Sequence, residues 1–211
     1  MQLRNAPNSF SRPFMKTVLF DIGNVLLAFD FHPALSTLEG PNATPDAFDQ
    51  IMAQKDVFEA GKQEKADYIQ WASELLDFQG DHAAFERAWT SIFTPIQPMW
   101  ELAQQLKAKG YRLILFSNTN CIHAPYCLST YPDFSLFDGA VFSHEVGSIK
   151  PEPAFYESAI KLYDLIPEQT YYIDDLEANI REGEKFGFTS FIYDQHQHAT
   201  FLSSFNRALE A

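Results

Sequence analysis

The sequence is poor in basic residues and cysteines and has no long apolar run. Its 15 lysines and arginines face 28 acidic residues, a formal net charge of −13, so no basic surface for nucleic acid or for anionic membranes is expected. The two cysteines, Cys121 and Cys127, form neither a disulfide framework nor a zinc-ligand spacing, which favours a cytoplasmic protein with reduced thiols. No stretch approaches the roughly 18 apolar residues of a membrane helix, and polar residues interrupt the apolar segment 18–29, unlike a signal peptide.

The sequence does contain ample material for one folded core. Hydrophobic residues make up 46% of its 211 positions, with 20 phenylalanines, and this length suits one domain or one domain with an insertion. Residues 1–14 hold two arginines and no acid, and we expect them to form a disordered arm outside the fold. Short apolar runs predict buried parallel strands at 16–21, 111–116, 139–142, 170–174 and 189–193. Helical spacing at 98–109, 153–165 and 176–186 then predicts a doubly wound, Rossmann-like α/β core.

One segment breaks this alternation and predicts an inserted helical cap. Residues 30–97 show only helical patterns, at 45–54, 65–78 and 81–93. The core would then comprise residues 15–29 and 98–211. An insertion after the first strand lies above the carboxyl ends of the strands, where open α/β sheets bind ligands. The stretch 58–61 is predicted to be a turn between two of these helices, with a substrate contact as the alternative.

Four polar groups lie at the ends of predicted strands or in the loops that follow them. Each has an ordinary explanation by itself, such as a turn, a helix cap or an exposed lysine. Together they offer a carboxylate nucleophile or metal ligand, phosphate-binding hydroxyl and amide groups, a cation and a carboxylate pair suited to Mg²⁺. The groups are Asp21, Ser117-Asn118, Lys150 and Asp174-Asp175. A local site of this kind is compatible with an acidic protein, because one metal ion and one lysine reverse the field in a cleft.

The order of these groups resembles the haloacid dehalogenase superfamily. FDIGNVL, LILFSNTN, the lysine of GSIKPEPAFY and YYIDDLEAN resemble its four motifs in sequence order. At closer range the motifs resemble a bacterial subgroup that includes an alpha-D-glucose-1-phosphatase, and the phosphatase domain of soluble epoxide hydrolase. The resemblance implies a phosphatase for a small phosphorylated metabolite, acting as a monomer or a homodimer.

The resemblance also implies a role for each motif residue. Asp21 would attack phosphorus and become an aspartyl-phosphate. Mg²⁺ would be held by Asp21, the backbone carbonyl of Gly23 and Asp175, while Ser117, Asn118 and Lys150 would bind the transferring phosphoryl group. Asp174 and Asn179 would order the metal-binding loop without touching the ion.

Gly23 departs from the pattern of that superfamily. Most of its phosphatases carry a second aspartate two positions after the nucleophile, which protonates the leaving oxygen and then activates water. One explanation is a phosphatase whose substrate has a better leaving group, such as a sugar 1-phosphate. Another residue could also replace the aspartate in such an enzyme. His123 is a candidate, and the alternative for it is an ordinary surface or core histidine. A second is a metal-independent dehalogenase, since a halide needs no proton. A third is a binding module that keeps only the fold.

Overall fold

The computed structural model describes residues 16–210, and the arm predicted at 1–14 lies outside this range. The strands are β1 (Thr17–Phe20), β2 (Leu27–Phe29), β3 (Phe93–Pro95), β4 (Arg112–Ser117), β5 (Gly139–Phe142), β6 (Thr170–Asp174) and β7 (Thr189–Ile192). The helices are α1 (His32–Leu38), α2 (Ala47–Ala53), α3 (Lys55–Glu59), α4 (Lys65–Leu75), α5 (His82–Trp89), α6 (Gln97–Ala108), α7 (His123–Thr130), α8 (Ser143–Val146), α9 (Pro153–Tyr163), α10 (Glu177–Lys185) and α11 (His198–Glu210). Short 3₁₀ helices occur at Pro132–Leu136, Pro167–Gln169 and Gln195–Gln197.

The central sheet is parallel and covered on both faces. Its order is β5-β4-β1-β6-β7, with Leu19 of β1 paired to Ile114 of β4 and to Tyr172 of β6. Successive side chains of a strand point to opposite faces. Val18 and Phe20 accordingly join one core cluster while Leu19 joins the other. Burial on both faces explains why these strands are continuous apolar runs in the sequence.

The topology fixes where a ligand can bind. The chain passes from central β1 to β4 and β5 on one side, and then returns to β6 and β7 on the other. Crossovers leaving in opposite directions open a crevice at the carboxyl ends of the strands beside β1, and open α/β sheets bind their ligands there. The doubly wound α/β fold predicted from the sequence is confirmed.

The segment between β2 and β3 forms a helical layer with its own core. Helices α1 to α5 enclose Phe58, Tyr68, Phe85 and Trp89, and Ile122 of the loop after β4 joins the same cluster. The antiparallel pair β2–β3 connects this layer to the sheet. The layer therefore stands directly above the carboxyl ends of β1 and β4.

Several elements differ from the sequence predictions. Residues 93–95 form β3, although helices alone are predicted for the insertion. The pairing of β3 with β2 joins residues 64 to 68 positions apart and leaves no local pattern. Helices α1, α3, α7, α8 and α11 are additional to those predicted. Within residues 16–210, no helix combines the length and apolar character needed to span a membrane.

Candidate active site

A cavity of about 290 Å³ lies between the strand ends and the helical layer. We call its polar side, at the ends of β1, β4 and β6, the floor; it consists of Asp21, Ser117, Asn118, Lys150 and Asp175, which line the cavity, and of Asp174, which is buried against Lys150. We call the opposite side, contributed by the helical layer, the roof; it includes Phe31, Ile51, Met52, Phe58, Tyr68 and Trp89. The floor thus brings together residues that are far apart in the sequence, and the roof is mostly aromatic and aliphatic.

Asp21 is held rigidly at the end of β1. Its backbone N–H donates to the Ile173 carbonyl of β6 at 3.0 Å, which continues the strand pairing to the site. Its Oδ1 accepts a hydrogen bond from the Ile22 N–H at 2.8 Å and lies 3.1 Å from the Lys150 Nζ. A carboxylate fixed in this way has little conformational freedom to lose on reaction.

Lys150 lies at the centre of the floor and is only 3% exposed. Its Nζ donates to Asp174 Oδ2 at 2.6 Å and to the Phe116 carbonyl at 2.7 Å, and it also pairs with Asp21. Burial alone would lower the pKa of this ammonium group, but the charges of Asp174 and Asp21 outweigh burial and raise it. Lys150 is therefore a permanent cation inside the protein.

The side chain of Asn118 positions Lys150. Its Oδ1 accepts from the Lys150 backbone N–H at 2.7 Å, and its Nδ2 donates to the Lys150 carbonyl at 2.9 Å. These two bonds fasten the loop that carries the lysine to the end of β4. These two bonds leave the second N–H of the Asn118 side chain free. That N–H is the group that can donate to a phosphate, the role predicted for this residue.

The two adjacent aspartates have different surroundings. Asp174 is 0% exposed, and its Oδ2 accepts from Lys150 and from the Tyr172 hydroxyl, each at 2.6 Å. Its Oδ1 accepts from the Leu176 N–H and from Asn179 Nδ2, each at 2.9 Å. Four donors occupy this carboxylate, so it has little capacity left for a metal ion.

The carboxylate of Asp175, in contrast, has oxygen lone pairs left for a metal ion. Its Oδ2 accepts from Asn24 Nδ2 at 3.0 Å, and its side chain lines the cavity. The roles expected from the resemblance, with Asp175 on the ion and Asp174 behind it, are compatible with this difference.

The floor carries more negative charge than Lys150 compensates. One oxygen each of Asp21, Asp174 and Asp175 lie within 4.8 Å of one another. Burial is the main cause that raises the pKa of Asp21 to about 7, and the neighbouring aspartates add to it while Lys150 opposes it. Burial likewise raises the pKa of Asp175. A cluster of hard oxygen donors with excess negative charge fits a small divalent cation such as Mg²⁺.

Comparison with known proteins places the chain in a family. A family model described as haloacid dehalogenase-like hydrolase matches residues 15–187. The chain belongs to this hydrolase family. It is 27% identical to the D-ribitol-5-phosphate phosphatase of Bacteroides thetaiotaomicron over 190 residues, which cover 84% of this chain and 91% of that protein.

Two further proteins resemble this haloacid dehalogenase-like hydrolase. The sesquiterpene phosphatase astK of Aspergillus oryzae is 28% identical over 178 residues, which cover 82% of this chain and 86% of that protein. A haloacid dehalogenase family enzyme of Bacteroides thetaiotaomicron, solved in complex with magnesium and inorganic phosphate, has a TM-score of 0.71 at 21% identity. That match covers 86% of this chain and 95% of the other, and it shows a shared fold.

His123 does not have the properties of a proton donor in this hydrolase. It is buried in the cavity wall, where its Nε2 lies 3.1 Å from the Trp89 carbonyl and its Nδ1 lies 3.2 Å from Asn120 Nδ2. The carbonyl can only accept and the amide nitrogen can only donate, so the ring is neutral with its proton on Nε2. Burial lowers the pKa of His123 to about 4. The histidine links the helical layer to the loop after β4 and has no free nitrogen for catalysis.

The roof also contains a carboxylate whose position the sequence does not predict. Phe58 and Glu59 belong to helix α3, whereas an interhelix turn is predicted at 58–61. Both side chains line the cavity, as the alternative of a substrate contact requires. The signal in the sequence was one acidic residue beside an aromatic one, which is too common a pair to identify a site.

Proposed function

We propose that this hydrolase removes the phosphoryl group from a small phosphate monoester through an aspartyl-phosphate on Asp21. The observation that carries the proposal is the floor, where a fixed carboxylate, a buried cation and two further carboxylates meet at one end of a cavity. A carboxylate that attacks a dianionic phosphate needs positive charge between them. The two curated relatives cited above, each named as a phosphatase, support the same conclusion.

Each floor residue has a role in this proposal. Asp21 forms the bond to phosphorus, and the buried ammonium of Lys150 and the Ser117 hydroxyl bind the phosphoryl oxygens. Asn118 holds Lys150 in place and offers its remaining N–H. Covalent transfer divides hydrolysis into two easier steps.

Mg²⁺ is the cofactor of this proposal. The carboxylates of Asp21 and Asp175 and the carbonyl of Gly23 would hold it. When bound, it supplies the charge that lets a carboxylate and a phosphate approach each other. Asp174 and Asn179 support the loop through the hydrogen bond between them, at 2.9 Å.

We also propose a division of labour between two parts of the chain. Residues 15–29 and 98–211 form the core that carries the floor, and residues 30–97 act as a cap. The support is that the named roof side chains lie in or beside the helices of this segment while the floor side chains do not. The cap would then select the alcohol part of the substrate.

Two substrate classes follow from two different observations. Gly23 and the motif resemblance favour a sugar 1-phosphate, whose anomeric oxygen leaves more readily than an ordinary alkoxide. The aromatic and aliphatic roof favours the phosphate of an apolar alcohol, because unpaired sugar hydroxyls against Phe31, Phe58 and Trp89 would be left without hydrogen bonds.

The proposal is tested by assaying phosphate release with and without Mg²⁺ from a panel of esters. The panel contains an aryl phosphate, sugar 1- and 6-phosphates, a polyol phosphate, nucleotides and an alkyl phosphate with a long apolar chain. We expect Mg²⁺-dependent release that Asp21→Asn lowers by ~10⁴-fold or more, as for other catalytic nucleophiles. The matched control is Asp49→Asn, which alters an exposed carboxylate of α2.

Other outcomes of this assay, run beside an assay of halide release from a 2-haloacid, would identify the alternatives. Halide release from a 2-haloacid without metal would identify a dehalogenase. Unchanged activity in Asp21→Asn would rule out the aspartyl-phosphate. Absence of hydrolysis on the whole panel, together with saturable binding of one phosphate ester, would identify a binding module.

A further inference from the structure

The proposed reaction needs a proton donor for the leaving oxygen, and the position two residues after Asp21 does not provide one. Gly23 has no side chain, and a Cβ built there would lie 3.2 Å from the Phe29 ring. The backbone at Gly23 is not in the left-handed region that favours glycine. The ring of Phe29 therefore crowds the space that a side chain at this position would occupy.

Most other titratable groups around the cavity are already committed. His123 is neutral with both nitrogens engaged. Asp175 is bound to Asn24 beside the proposed metal site. Tyr68 stacks face to face on Phe58 at 3.8 Å, and burial raises the pKa of its hydroxyl far above the ordinary value. These groups are poor donors to a leaving alkoxide.

Glu59, the last residue of α3, is different. Its side chain lines the cavity and is 12% exposed. Its Oε2 is shielded from solvent and has no hydrogen-bond partner among the described residues. Among the described residues its ion-pair partner is Lys55, whose Nζ lies 3.8 Å away, beyond hydrogen-bond distance. A buried carboxylate oxygen without a donor is costly when it is charged, so this environment favours a protonated carboxyl group on Glu59.

The charges around Glu59 suit a carboxyl group that exchanges a proton. Burial is the main cause that raises its pKa above the ordinary value, and the adjacent Asp56 adds to this. Lys55 on the same helix and Lys150 of the floor oppose the shift. Glu59 and Lys150 line the same cavity from opposite sides.

We propose that Glu59 is the proton donor and acceptor of the phosphatase reaction, supplied by the roof instead of the loop after β1. This inference rests on the proposed function. In the first step, Asp21 Oδ bonds to phosphorus, the bond from phosphorus to the leaving oxygen breaks, and the Glu59 carboxyl passes its proton to that oxygen. In the second, the Glu59 carboxylate takes a proton from water as the water oxygen bonds to phosphorus. The bond from phosphorus to Asp21 then breaks, which releases phosphate and restores both residues.

The test compares two substrates of similar size, p-nitrophenyl phosphate and benzyl phosphate, in wild type and Glu59→Gln. Nitrophenolate leaves without a proton, whereas the benzyl alkoxide requires one. We expect Glu59→Gln to lower kcat/KM for benzyl phosphate by ~10²–10⁴-fold and to change that for p-nitrophenyl phosphate by less than about threefold. Because kcat/KM reports only the steps up to phosphorylation of Asp21, the loss of the base in the second step does not enter this ratio.

The loss of the base appears in a second measurement. With p-nitrophenyl phosphate, kcat of Glu59→Gln should fall, and a burst of one nitrophenol per enzyme should precede slow turnover as the aspartyl-phosphate accumulates. Asp49→Asn, which alters an exposed carboxylate of α2 that does not line the cavity, should match the wild type in both measurements. Glutamine has nearly the shape of glutamate, so the fold is retained, and the thermal midpoint of each variant is checked before the assay.

Three results would overturn the proposal. An equal loss of kcat/KM on both substrates would assign Glu59 to substrate binding. No loss on benzyl phosphate would remove it from the reaction. Absence of hydrolysis by wild type on any ester would overturn the phosphatase function and with it the role of Glu59, whereas wild-type hydrolysis with an unaffected Glu59→Gln would overturn the role of Glu59 alone.

Discussion

The floor and the roof of the cavity differ in how their side chains are held. On the floor, charges and hydrogen bonds fix each group, as when Asn118 bonds twice to the backbone of Lys150. On the roof, aromatic packing fixes the side chains, as when Phe58 stacks on Tyr68, and Glu59 Oε2 has no hydrogen bond within the described part of the chain. Under the proposed function, the floor would perform the chemistry common to many phosphate esters, and the roof would select the alcohol.

Removal of the central cation of the floor should have the largest effect. Lys150→Met would leave Asp174 buried without its partner, which typically costs about 3–5 kcal/mol, and phosphate release should fall to background. Denaturant unfolding and the aryl phosphate assay measure the two effects. Lys161→Met, at an exposed position of α9, is the control. If Lys150→Met kept a tenth of the activity, the floor would not depend on this charge.

The two adjacent aspartates offer a finer comparison within the floor. We expect Asp175→Asn to raise the Mg²⁺ concentration for half-maximal activity by about 10–100-fold, the range seen when groups around a metal are altered. Asp174→Asn should lower thermal stability instead, since four donors surround that carboxylate. A Mg²⁺ titration of activity and a thermal unfolding curve for each variant measure the two effects. An unchanged requirement in Asp175→Asn would contradict the proposed metal site.

A substitution in the roof should change the choice between substrates more than the rate of phosphoryl transfer itself. Phe31→Leu shortens a ring that contacts Trp89 at a centroid distance of 5.0 Å and lines the cavity. The ratio of kcat/KM between apolar and sugar phosphates should change by about tenfold. Phe48→Leu removes a ring that packs on Phe31 without lining the cavity, and it should leave the ratio unchanged. Equal ratios in all three proteins would contradict selection by the roof.

The smallest expected effect concerns the stability of the protein without metal. Burial raises the pKa of Asp21 from 3.8 to about 7, so the folded state binds more protons than the unfolded state between these values. The contribution of Asp21 to stability is therefore fully present below about pH 4 and is lost as the pH rises through 7. Asparagine at this position carries no charge.

Thermal unfolding in a chelator tests this effect. We expect Asp21→Asn to unfold a few degrees above wild type at pH 8, at about 2–4 °C per kcal/mol for a chain of this size. The two proteins should differ little at pH 4, and Asp49→Asn should follow the wild type at both. A difference that does not change with pH would show that the charge of Asp21 is not its source.

The sequence predicted the five strands of the central sheet better than the remaining elements. The strands at 139–142 and 170–174 are found with the predicted bounds, because continuous apolar runs between turn signals are typical of buried parallel strands. Helix α11 was missed although Phe201 and Phe205 have helical spacing. Strand β3 has only three residues, and its partner β2 is remote in the sequence, so no local periodicity could indicate it.

The sequence by itself determined that the polar groups of the floor would meet. Asp21, Ser117 and Asp174 end or follow parallel strands, and the carboxyl ends of such strands share one edge of the sheet whatever the details of packing. Only the tertiary structure decided how each group is occupied. It buries Asp174 under four donors, makes His123 neutral, and brings Glu59 to the cavity with an Oε2 that accepts no hydrogen bond from residues 16–210. These states depend on distances between elements that are remote in the sequence, and on burial, which sets both hydrogen-bond saturation and pKa.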